Sequence, residues 1–167
     1  MAGKAHFLKL ARYNAWANAR LFAACAKLHE HDYLKPRPAF FGSLHGTLNH
    51  LLVTDRMWLA RFEGRPVPAV ALNHVLYGDL IGLKVAREAE DAHLIRFLEG
   101  LEETRLARDF TYESVSAGRS VTLALADILT HVFNHHAHHR GQAHGLLSQT
   151  SVAPPDLDYA YFLLEGR

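Results

Sequence analysis

Apolar residues recur at alternating spacings of three and four through four long stretches of the chain, the pattern of amphipathic helices that bury one face. In the first, Ala5 to Leu28, the seam runs Phe7, Leu10, Asn14, Ala17, Leu21, Ala24, Leu28. Asn14 interrupts it, flanked by Trp16 and Asn18, and a buried amide there fixes helix register. Residues 29–39 contain Pro36 and Pro38 and read as a loop. Ser43 is placed to cap a second helix reaching Phe62, with Leu44, Leu48, Leu51, Trp58 and Phe62 inward and Gly64, Pro66 and Pro68 ending it. Gly78 to Leu101 is the third, with Leu83, Ala86, Glu90, Phe97 and Leu101 on one face. Between Arg108 and Ser120 the period drops to two, which predicts a short hairpin turning at Ser116 to Gly118. The fourth helix, Leu123 to Leu147, has Thr122 as its candidate cap and a stripe of Val121, Leu125, Ile128, Val132, Ala143 and Leu146. Pro154 and Pro155 stop it, and the apolar residues after them dock on the rest. The class expected is all-α, an up-down four-helix bundle with a short β-hairpin before the last long helix, in one domain over residues 1–167.

The fourth stretch also carries unusual chemistry: five of the 13 histidines fall between His131 and His139. At about 100° per residue, His135 and His139 stand about 40° apart on the apolar stripe, so two imidazoles reach the same side one turn apart. His131 lies on the edge of the stripe, His138 beyond that edge, His136 on its other side and His144 on the opposite face. Such a pair can ligate a metal, or form a hydrogen-bonded polar seam. In the second helix His50 sits at the margin of the stripe, with His45, Asn49 and Asp55 as polar alternatives.

Composition narrows the chemistry. A 167-residue chain with 49% hydrophobic content builds one sizeable core. Lys and Arg exceed Asp and Glu by one and are scattered, giving no electrostatic ground for nucleic-acid binding. Cys25 is the only cysteine, which excludes an intramolecular disulfide and a Cys-based zinc motif. Among Ala23, Ala24 and Ala26 it has no cationic neighbour to make it a thiolate, so packing is its role. No run reaches the length of a signal peptide core or a membrane span, and the expected location is cytoplasmic. Phe7, Leu8, Trp16 and Phe22 project from the first helix in several directions, which suggests a homodimer that covers them.

Four segments together resemble the DinB-like family of metal-binding four-helix bundles: Y-N-A-W-A-N-A-R-L at 13–21, L-N-H-L-L-V-T-D-R-M-W at 48–58, H-V-F-N-H-H-A-H-H-R-G-Q at 131–142 and P-P-D-L-D-Y at 154–159. The resemblance implies that His50, His135 and His139 hold a divalent metal, zinc or nickel, with water completing its shell. It is also what selects His50 over His45, and it too implies a homodimer. Similar proteins include transferases and isomerases that use bacillithiol or mycothiol. The function expected is a metal-dependent enzyme that activates a thiol or water for a small-molecule substrate, of thiol S-transferase or hydrolase type, with a low-molecular-weight thiol as candidate cosubstrate. The alternative is a non-catalytic stress-response protein whose metal ties the second helix to the fourth. Arg140 is a candidate to meet an anionic group, or a snorkelling surface or dimer-contact arginine. Tyr13, Asn14, Asn134 and Gln142 are candidates to support a ligand.

Overall fold

The computed structural model describes residues 3–114 and 117–166. Its order is α1 (Lys4–Cys25), α2 (Glu30–Leu34), α3 (Leu44–Phe62), α4 (Leu80–Gly100), a 3-10 turn (Glu103–Ala107), β1 (Asp109–Ser114), β2 (Arg119–Ala124), α5 (Leu125–Leu147) and α6 (Tyr159–Leu164). Local chemistry sets the ends. Ser43 Oγ accepts from the Gly46 N–H at 2.9 Å, and Asp79 Oδ1 accepts from the Gly82 N–H at 2.7 Å, satisfying free donors at the starts of α3 and α4. Gly64, at φ +65°, takes the left-handed conformation just after α3.

Three local expectations change. Residues 29–39 are not wholly loop, because α2 forms there and buries Tyr33. Thr122 does not cap the fourth long helix. It lies in β2, opposite Thr111, and the chain passes from strand to helix at Ala124. The hairpin therefore extends to Ala124, and of its expected turn Ser116 lies outside the described residues while Gly118 takes φ +61°.

The expectation of a simple up-down bundle also needs correction. Lys4 Nζ donates to the Glu99 carbonyl, so α1 runs against α4. Asp55 meets His136 while Trp58 meets His131, so α3 runs against α5. Along α3 and α4, however, partners rise together: Arg56 with Glu90, then Glu63 with His93. Phe7 with Phe133 and Asn14 with Arg140 show the same for α1 and α5. The long helices thus run up, down, down, up. The physical reason is the connection over residues 63–79. Extended chain of that length exceeds the roughly 28 Å rise of α3, so it can return along the bundle before α4 begins.

Two apolar clusters fill the ends of the bundle. One gathers Phe7, Trp58, Phe62, Leu98 and Ile128 near the hairpin, and the other gathers Leu21, Leu48, Leu83 and Leu147 at the far end. A third, smaller cluster forms where Phe162 of α6 covers Trp16. Phe7, Trp16 and Phe22 are thereby buried within one chain, so they supply no surface that requires a second copy. Among the described residues no helix is long and apolar enough to cross a membrane.

Candidate metal centre

Because α3 runs against α5, one turn of α3 faces two turns of α5, and this brings His50 to the His135 and His139 pair. His50 Nε2 lies 3.2 Å from His135 Nε2, and one ring nitrogen from each of the three lies within 4.8 Å of the others. Nitrogens that share a tetrahedral cation at about 2.0–2.1 Å stand about 3.3 Å apart, so the spacing fits a common ion. Tautomers are fixed from behind. His50 Nδ1 sits 2.8 Å from the Leu72 carbonyl, which can only accept, so Nδ1 carries the proton and Nε2 presents its lone pair. His139 Nδ1 likewise donates to Gln142 Oε1 at 2.8 Å. The returning loop, through Leu72, thus orients one imidazole of the trio.

Burial keeps the rings neutral. It pushes His50 down to about 4 and His135 down to about 3, and lowers His139 as well; the other histidines of the trio reinforce the shifts of His50 and His135. Neutral imidazole is the ligating form. Phe41 covers the trio, its ring stacked on His50 at 3.8 Å between centroids and edge-on to His139 at 5.4 Å.

The trio opens on a cavity of about 350 Å³ whose walls include Met57, Trp58, Arg61, Leu72 and Tyr112. Among the described residues the cluster contains three ligands and no carboxylate. Such a donor set leaves a position for an exogenous group.

The remaining polar candidates are placed elsewhere. His45 Nδ1 is 3.0 Å from the Tyr33 hydroxyl, and Asn49 Oδ1 accepts from the backbone N–H groups of Leu76 and Tyr77, which anchors the returning loop. His131 lines the cavity against Trp58 without joining the trio. His138 bonds Gln142 at the surface, and His144 Nε2 donates to the Pro155 carbonyl. Gln142 meets His139 Nδ1, whereas Asn134 is exposed. Tyr13 donates instead to the Leu157 carbonyl at 2.7 Å.

His136 and Arg140 differ most from expectation. They are the α5 pair that points deepest inward, 2% and 3% exposed, while His135 and His139 occupy the edge between core and cavity. Between the two apolar clusters, all four long helices contribute to one buried polar layer. His136 pairs with Asp55, Asp55 with Arg87, and Arg87 with Asp91 at 3.0 Å. Asp91 accepts from Asn14 and Asn18, and Arg140 donates to Asn14 while lying 5.1 Å from the Tyr13 ring centroid. Arg140 is therefore neither a surface arginine nor an anion contact at the cavity. His136 and Arg87 together outweigh the effect of burial on Asp55 and hold its carboxyl below the usual range. Arg87 and Asp91 drew no sequence assignment. The available signal was Asn14, Asp55, Arg87, Asp91, His136 and Arg140 falling mid-helix in the four long segments.

Comparison with known proteins identifies the family. The sequence model of the DinB family matches residues 1–165. The chain is 30% identical over 162 residues to Protein DinB of Bacillus subtilis (strain 168), an alignment covering 93% of this chain and 92% of that one.

Proposed function

Given that this chain belongs to the DinB family, we propose that it is a metal-dependent enzyme in which His50, His135 and His139 hold one divalent cation, zinc or nickel, beside a small-molecule cavity. The observation that carries this reading is the convergence of three neutral imidazoles, without a fourth protein ligand among the described residues, on the floor of that cavity. A cation held there supplies Lewis acidity, lowering the pKa of a thiol or water and polarising an electrophile. The chain's own residues do the rest. The Leu72 carbonyl and Gln142 hold two imidazoles in the ligating tautomer, Phe41 shields the trio, and Trp58, Met57 and Leu72 exclude water from an apolar substrate body. Cys25 is buried away from the cavity, and burial pushes its thiol up to about 12, which argues against Cys25 as a nucleophile.

The reaction class that fits is thiol S-transfer or hydrolysis, with a low-molecular-weight thiol as cosubstrate in the first case. A purely structural metal is the weaker reading, because the buried Asp55 and His136 pair already ties α3 to α5. We also read the chain as a cytoplasmic homodimer. Ile81 and Val85, 78% and 62% exposed one turn apart on α4, are candidate contacts, and light scattering that gives the monomer mass at micromolar concentration removes this part. The reaction is tested by elemental analysis of purified protein together with a transfer screen over several low-molecular-weight thiols and ester substrates. Metal-dependent turnover supports the proposal; a fully metallated protein inert toward every pair contradicts it.

A further inference from the structure

One cationic side chain in the cavity wall differs from five arginines elsewhere in the chain. Arg12, Arg20, Arg56, Arg65 and Arg87 each face a carboxylate. Arg61 pairs with none among the described residues. Its guanidinium carbon lies 4.7 Å from the Trp58 ring centroid and 5.2 Å from that of Tyr112, and Nη2 donates to the Glu113 carbonyl at 3.0 Å. The Glu113 carboxylate is engaged with Ser120 on the hairpin. A guanidinium carries five N–H donors, so the one carbonyl leaves most of its donating edge for a ligand or solvent. Two aromatic contacts meanwhile restrict the group, so less freedom is lost when an anion docks. Among the described residues lining the cavity, Arg61 is also the only Asp, Glu, Lys or Arg.

The position along α3 adds a length. His50, Thr54, Met57, Trp58 and Arg61 all line the cavity, one stripe of α3 from the trio to the hairpin. Eleven residues at 1.5 Å each separate His50 from Arg61, about 16 Å along the axis. The stretch between them is apolar and aromatic. A volume of about 350 Å³ lies at the lower end of the roughly 300–1,000 Å³ of small-molecule sites.

We infer that the cavity takes an elongated organic anion, with a carboxylate held by Arg61, an apolar body along Met57 and Trp58, and its reacting end at the histidine trio. Arg61 is thus the residue that determines specificity for the charged end. This rests on the reading of the cavity as the substrate site, but not on which reaction occurs there.

The test is calorimetric titration of the full chain, metal-stripped and nickel-loaded, with phenylbutyrate and with its neutral isostere phenylbutyramide at about pH 8, where imidazole is neutral. In the metal-stripped chain Arg61 is the only Lys or Arg that the acid meets among the described residues lining the cavity. The acid should bind at least about tenfold more tightly than the amide, the ratio given by one charge-assisted pair. Arg61→Met should erase that preference without lowering nickel content, and Arg61→Lys should keep part of it. If Arg61→Met does not fold, Arg61→Gln provides the same comparison. Equal binding of acid and amide to the unaltered chain, no binding of either, or a preference that survives loss of the arginine overturns the inference. Loss of stability with the preference intact would show that Arg61 only fastens the hairpin. A chain that takes no nickel but keeps an Arg61-dependent preference removes the metal reading alone; a nickel-loaded chain with no preference removes this inference alone.

Discussion

Asp55 and His136 are hydrogen-bonded across α3 and α5, and the same carboxylate is ion-paired with Arg87, in the buried layer behind the histidine trio, so the residue next to His135 in sequence serves the core while His135 serves the cavity. The contacts of the buried layer do not pass through the histidine trio. Removing one partner of such a pair leaves charge buried and uncompensated, which costs about 3–5 kcal/mol. Asp55→Ala should therefore lower the urea midpoint by that equivalent in metal-free protein. A change below about 1 kcal/mol would mean that Arg87 and His136 find other partners.

Metal retention should follow the trio and not the histidine count. His50→Ala, His135→Ala and His139→Ala should each reduce bound metal strongly after dialysis, while His138→Ala and His144→Ala should keep about one ion per chain. Equal retention by His135→Ala and His144→Ala, measured by elemental analysis, would place the ion elsewhere.

Acid should weaken the metal-free fold through the same residues. With His50 near 4 and His135 near 3 in the folded chain, and an ordinary imidazole near 6.5, the unfolded chain binds protons first as pH falls. Their contribution to stability is full above about pH 6.5 and is lost as the pH falls toward about 4. A His50→Gln, His135→Gln double variant should show a smaller loss of urea midpoint between about pH 7 and about pH 4.5. The same slope in both proteins would refute this role.

Cys25 should be inert. Burial holds its thiol near 12, so iodoacetamide should label the native chain far more slowly than the urea-unfolded one, and Cys25→Ser should keep its metal and its activity. Loss of activity in a folded, metallated Cys25→Ser variant would direct attention to α1.

The pattern of apolar positions made most of this legible. Helical spacing located the long helices to within a few residues, and the i, i+4 relation found His135 and His139. His50 needed the family resemblance, because a histidine at the margin of a stripe carries no mark of what it faces. His136 and Arg140 were misplaced for the same reason: the stripe of α5 is bordered by a cavity on one side and by a polar core layer on the other, and periodicity gives a face without saying what covers it. On α4, Arg87 and Asp91 look like part of a solvated charged face until Asp55 and the α1 asparagines are brought against them. The parallel course of α3 and α4 depends on the path of residues 63–79, which no local pattern records.

An open coordination position at the histidine trio is most directly tested by loading the protein with about one equivalent of cobalt(II) and recording its visible and near-ultraviolet spectrum before and after adding 2-mercaptoethanol. The expected result is a tetrahedral-type spectrum that gains a sulfur-to-cobalt charge-transfer band with thiol, both features absent in His139→Ala. A cobalt spectrum that thiol leaves unchanged, or one that persists in His139→Ala, would contradict it.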